Sequence, residues 1–94
     1  MTGPGGRPSR RLEIRNSRGL HARAAAKFVR CAEAYEAEIL VSRQDMQVSG
    51  RSIMGLMMLA AACGTTIAVS AAGPDAEAAL DAIADLLGNR FGED

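Results

Sequence analysis

The sequence predicts a two-layer α+β domain with elements in the order β-α-β-β-α-β-α. Three observations carry this expectation. Four short stretches alternate or concentrate apolar and branched residues, three others repeat apolar residues at helical spacing, and turn-forming Gly, Pro, Asn and Ser separate them. Four such strands make a sheet with one buried face, for which the helices are the natural cover. A chain of 94 residues suffices for one core and not for two. Residues 10–94 are therefore expected to form one domain, and residues 1–9, rich in Gly and Pro and poor in apolar side chains, a flexible leader.

Each element has its own signature. Arg11-Leu12-Glu13-Ile14 alternates and then meets the turn Asn16-Ser17-Arg18-Gly19, so it reads as a strand burying Leu12 and Ile14. A helix follows, with Ala25, Phe28, Val29, Ala32 and Tyr35 on one side and Lys27, Arg30, Glu33 and Glu36 mostly on the other. Glu38 to Ser42 and Met46 to Ser49, joined by Arg43-Gln44-Asp45, form a hairpin pattern. Ser52 is placed to cap a short helix beginning at Ile53, and Gly64 ends the alanine run behind it. Thr65 to Ser70 is a fourth strand. Gly73-Pro74-Asp75 then opens a last helix with Ala76, Ala79, Leu80, Ile83, Leu86 and Leu87 inside and Glu77, Asp81 and Asp85 outside.

Composition narrows the function classes. Only Tyr35, Phe28 and Phe91 are aromatic, so the core is expected from Ala, Leu, Ile, Val and Met, and stacking platforms for nucleobases are disfavoured. The formal net charge is zero, but ten of the eleven cations lie at or before Arg51, while Asp75, Glu77, Asp81, Asp85, Glu93 and Asp94 follow it. Either one side of the domain is electropositive and suits an anion or acidic partner, or the arginines are merely solvated. Cys31 and Cys63 lack metal-ligand spacing, so no metal is expected, and both read as small buried residues in a reducing compartment. Neither a signal peptide nor a transmembrane run is apparent, which implies a cytoplasmic protein without membrane contact.

The single histidine, His21, stands between Gly19 and the alanine-rich helix, with Arg23 two residues on. A helix start offers unpaired N–H groups and positive potential. A phosphoryl group attached to His21 could rest over the N–H groups of Ala22 and Arg23, and the Arg23 guanidinium could add charge-assisted hydrogen bonds. The same field favours neutral imidazole, the form with a nucleophilic lone pair. On these residues alone, a plain capping or surface histidine is the alternative. No P-loop pattern or evident magnesium cluster accompanies it, so no cofactor is expected.

G-L-H-A-R before an alanine-rich helix, S-I-M-G-L-M some thirty residues later, and an acidic final helix together resemble the HPr family of histidine-containing phosphocarriers of the bacterial phosphoenolpyruvate-dependent phosphotransferase system. The likeness extends from Arg11 to Glu93. It implies an open-faced β-sandwich, four antiparallel strands covered on one face by three helices. It also implies a relay in which enzyme I phosphorylates His21 on Nδ1 and His21 passes the group to an enzyme IIA domain. Arg23 matches the phosphate-stabilising arginine, and Ser52 the serine modified in some bacteria by HPr kinase/phosphorylase. Leu20, Ile53, Met54 and Met57 are the expected docking patch of a monomeric carrier.

One position departs from the pattern: Ala24 stands where the family usually has proline, which leaves the first helical turn less preset and adds an N–H. Two other classes remain as alternatives. One is a regulatory binding protein controlled at Ser52 with His21 seldom used; the other is a basic nucleic-acid module, against which the zero net charge and scarce aromatics weigh. A self-contained enzyme is the weakest option, because one histidine without a visible base, metal or cofactor has little means of turnover.

Overall fold

A computed structural model describes residues 7–93. The strands β1 (Ser9–Glu13), β2 (Glu38–Arg43), β3 (Met46–Ser49) and β4 (Thr66–Ala72) alternate with the helices α1 (Ala22–Glu33), α2 (Ile53–Met58) and α3 (Ala76–Gly88), and a 3-10 turn, Arg90–Gly92, closes the order. The sheet runs β1-β4-β2-β3 with every neighbouring pair antiparallel. This is the open-faced sandwich that the element order and the family resemblance led us to expect.

Period-two burial decides which sheet face is covered. Ile39 and Val41 of β2 and Ile67, Val69 and Ala71 of β4 point into the core, while Glu38, Thr66 and Gln47 stay exposed. Register puts Val41 opposite Val69, so the two central strands bring branched side chains together beneath the helices. From above, Ala24, Ala25, Phe28, Val29 and Ala32 of α1 and Ala76, Ala79, Leu80, Ile83 and Leu87 of α3 complete the core. The alanines keep the helices close to the sheet, and Phe28 and Phe91 supply the largest side chains of that core.

Several expectations need correction. The first strand begins at Ser9, not Arg11. Arg7 reaches Glu38 Oε1 at 2.7 Å and the Glu38 carbonyl at 2.8 Å, and the Pro8 carbonyl accepts from Ala71 N–H at 3.0 Å. Residues 7–9 of the expected leader are thus tied to the sheet by groups distant in sequence, and residues 1–6 lie outside the described residues. Met46 and Met58, which composition would place in the core, are exposed, as are Met54 and Met57 of the expected docking patch. Cys31 is half-buried and Cys63 exposed, so only the former approaches the buried thiol foreseen for both. Desolvation raises the Cys31 thiol pKa. Asp75 occupies the α3 cap position but turns its carboxylate to Glu36 N–H at 2.8 Å instead of to its own helix.

Candidate functional site

The loop before α1 is built to hold one conformation. Gly19 has φ +67°, and a Cβ there would lie 2.6 Å from the Ala61 carbonyl oxygen, so only glycine both turns the chain and allows this approach. Leu20 N–H donates to that same carbonyl at 3.0 Å, and its side chain is 5 % exposed. Leu20 therefore belongs to the core, which removes it from the expected docking patch. Burying Leu20 fixes the residue after it at the surface.

That residue, His21, is the N-cap of α1, with extended φ and ψ of −77° and 179°. Its carbonyl accepts from Ala25 N–H at 2.8 Å, and its ring Nδ1 accepts from Arg23 N–H at 3.3 Å. The imidazole lone pair thus performs the capping usually left to Ser, Asn or Asp oxygen. Ala22 and Arg23 are exposed, and among the described residues the Arg23 guanidinium has no hydrogen bond or ion pair. The helix start and its neighbouring arginine are both open to an incoming anion.

The other side of the ring meets a group that local sequence does not reveal. Beyond α3, Arg90, Phe91 and Gly92 take φ values of 56°, 55° and 73°, three left-handed residues in succession. For the two non-glycine residues this conformation costs about 1–2 kcal/mol each. Full burial of Phe91 and a 2.6 Å hydrogen bond from Lys27 Nζ to its carbonyl oppose that cost. The reversed chain delivers the Glu93 carboxylate to His21 Nε2, at 2.9 Å from Oε2 and 3.1 Å from Oε1. His21 and Glu93 side chains are only 19 % and 12 % exposed.

These partners assign the tautomer. An ionised carboxylate only accepts, so Nε2 carries the proton; a backbone N–H only donates, so Nδ1 bears the lone pair. Burial opposes ionisation of Glu93, but hydrogen bonds from Asn16 and His21, with the charges of His21 when protonated and of Lys27, outweigh it and hold the carboxyl below the usual glutamate range. Asn16, fully buried, donates through Nδ2 to the Gly19 carbonyl at 2.7 Å and to Glu93 Oε1 at 3.1 Å. Its Oδ1 has no partner among the described residues, an omission of about 1–3 kcal/mol.

Ser52 is the N-cap of α2, its Oγ accepting from Gly55 N–H at 2.9 Å. Ile53, Met54 and Met57 lie exposed on the short helix behind it, Met54 most of all at 73 %. Met58 and Met46 are exposed as well. A surface groove of about 400 Å³ lined by Glu36, Ile39, Arg51 and Pro74 includes neither His21 nor Ser52. Among the described residues no three His, Cys, Asp or Glu side chains are grouped to hold a metal, and no helix is long and apolar enough to cross a membrane.

Glu93 and Asn16 were not anticipated as site residues. Phe91 follows Leu87 by four residues, so its apolar side chain continues the helical period and hides the chain reversal. Asn16 sits in an ordinary turn signature. Nothing local distinguishes either.

Residues 8–89 match the family described as "PTS HPr component phosphorylation site". The phosphocarrier protein HPr of Neisseria meningitidis serogroup A is 49 % identical over 82 residues, covering 87 % of this chain and 92 % of that protein. HPr of Cupriavidus necator is 48 % identical over 80 residues, covering 85 % of this chain and 90 % of that one. Among solved structures, HPr-C-His from Thermoanaerobacter tengcongensis superposes with a TM-score of 0.88 at 40 % identity, over 93 % of this chain and 98 % of that chain. The likeness in sequence and in fold thus runs along nearly the whole length, and the chain belongs to the HPr family of phosphocarrier proteins.

Proposed function

We propose that this protein accepts a phosphoryl group on His21 Nδ1 from phosphorylated enzyme I and donates it to an enzyme IIA domain. The observation that carries this reading is the ring's double engagement: Nε2–H on Glu93, and a lone-pair Nδ1 held only by a 3.3 Å contact to Arg23 N–H. In the forward step the Nδ1 lone pair attacks phosphorus as the bond from phosphorus to the donor's histidine nitrogen breaks, its electron pair remaining with the donor. The Nε2 proton stays on the ring, which gains positive charge beside the Glu93 carboxylate. Arg23 N–H is then released to a phosphoryl oxygen, joined by Ala22 N–H and the unengaged Arg23 guanidinium. In the onward step the electron pair returns to Nδ1.

The ring is met at the surface, so each reaction completes itself inside a protein complex, with the partner supplying the second histidine. This is a carrier's chemistry and not that of a self-contained enzyme. Exposed Ile53, Met54 and Met57 suit the docking of more than one partner, since methionine adapts its shape. The carrier acts as a cytoplasmic monomer in this scheme, in sugar uptake or a regulatory branch, and binds no nucleic acid or membrane. Ser52, capping the helix that bears those residues, is a second modification site open to HPr kinase/phosphorylase: a phosphate there adds about −1.5 to −2 charges beside the docking patch.

Incubation with phosphoenolpyruvate and enzyme I tests the proposal. An acid-labile phosphoryl group that is absent in His21→Ala is expected. An unlabelled parent chain overturns it.

A further inference from the structure

We infer that Asn16 is a positioning residue for His21: by holding the Glu93 carboxylate against Nε2, it keeps the lone pair on Nδ1. The consequence for transfer rests on the phosphocarrier reading above; the effect on the ring does not.

Asn16 is the one polar side chain buried among the described residues, at 0 % exposure. Its amide orientation is settled by chemistry, because the Gly19 carbonyl at 2.7 Å and Glu93 Oε1 at 3.1 Å both only accept. Turning the amide over would set its oxygen against two oxygens. As oriented, both N–H bonds are used and Oδ1 has no partner among the described residues. A buried amide that satisfies only its donor end is explained by what those donors hold. One fixes the turn that presents His21. The other spans 77 positions of sequence to aim a carboxylate.

That aim needs fixing. Glu93 follows three left-handed residues and is drawn both by the ring Nε2–H and by the charge of Lys27, whose ammonium is already engaged by the Phe91 carbonyl at 2.6 Å. Without the Asn16 donor the carboxylate can turn toward Lys27 or solvent, and Nε2 loses its acceptor. The neutral ring can then move its proton to Nδ1, which removes the nucleophile from the position beside Arg23 N–H. The relay is the metal-free counterpart of a functional histidine oriented through its second nitrogen.

Three measurements on the full chain test the role. In the unmodified protein, the Asn16 side-chain amide resonances should shift as Glu93 titrates in acid, and this response should vanish in Glu93→Ala. At alkaline pH, imidazole ¹⁵N shifts should report one tautomer, Nε2–H, in the parent chain and a mixture in Asn16→Ala. In a Glu93→Ala background, Asn16→Ala should change the tautomer no further. Phosphoryl acceptance by Asn16→Ala should slow about tenfold with KM for the carrier unchanged, the scale of losing an orienting partner.

An Asn16 amide blind to Glu93, or a tautomer change of equal size with and without Glu93, overturns the inference; the first result needs no Asn16 variant to fold. A parent chain that takes no phosphoryl group counts instead against the carrier reading, and the amide and tautomer measurements still decide the role of Asn16.

Discussion

Replacing Ser52 separates two roles that coincide in one side chain. The helix it caps, α2, has six residues and buries only Leu56, so little packing compensates for a weakened start. Ser52 Oγ accepts Gly55 N–H at 2.9 Å, satisfying one of the N–H groups a helix start leaves open. Ser52→Ala removes that acceptor and should cost about 1 kcal/mol. For a domain of this size that corresponds to a fall in Tm of about 4–8 °C. Ser52→Asp keeps an acceptor in place and should melt within a few degrees of the parent, while adding a charge next to Ile53, Met54 and Met57. One unfavourable charge contact of about 1 kcal/mol with an acidic partner slows transfer roughly fivefold. Thermal unfolding and single-turnover phosphorylation by enzyme I, run on both variants, read the two roles separately. The expected pattern is a less stable Ser52→Ala with normal acceptance and a stable Ser52→Asp with slow acceptance. Equal stability of all three chains, or equal slowing by Ala and Asp, would refute the reasoning.

Other perturbations probe the frame around His21. Because the Glu93 pKa is lowered in the folded chain, its contribution to stability is present above the ordinary glutamate pKa and disappears as pH falls through the lower folded value. Urea unfolding from pH 7 to pH 2 should therefore show the parent's advantage over Glu93→Gln shrinking in acid; a constant difference would exclude an ionised Glu93 as its source. Gly19→Ala must accept φ +67° and a Cβ 2.6 Å from the Ala61 carbonyl oxygen, so its Tm should fall by about 10 °C or more. An unchanged melting curve would mean the loop before α1 relaxes freely. Phe91→Ala should lose about 3–5 kcal/mol, measured by denaturation. It should also raise the Glu93 carboxyl pKa toward the ordinary value in ¹³C NMR, since Phe91 anchors the turn that delivers it.

Much of the fold was legible because burial follows period. Ile67 and Val69 alternate into the core, and Ala76, Ala79, Leu80, Ile83 and Leu87 recur at helical spacing, so local order identifies both strand and helix, although the strand runs on through Ala72 instead of ending at Ser70. His21 and Ser52 were legible as caps for a similar reason: each stands one residue before an apolar helix. Period failed where tertiary contacts replace it. The family resemblance placed Leu20 in the docking patch, yet the Ala61 carbonyl holds its backbone and its side chain enters the core. Composition suggested methionine in the core, yet Met46 on β3 and Met58 on α2 are exposed, as are Met54 and Met57. Arg7 and Pro8 looked like leader by their Gly- and Pro-rich surroundings, and the partners that tie them down, Glu38 and Ala71, are far along the chain.

By itself the sequence determined the order of elements, the faces they bury and the placement of an imidazole at the opening of α1, since each depends on residues within a few positions of one another. Only the tertiary structure decided which ring nitrogen carries the lone pair. That choice comes from Glu93, 72 residues away, brought in by a left-handed reversal at Phe91 and received by Asn16. A proton's position on a ring is set by the acceptor it meets, and acceptors brought together by folding leave no periodic trace in the chain.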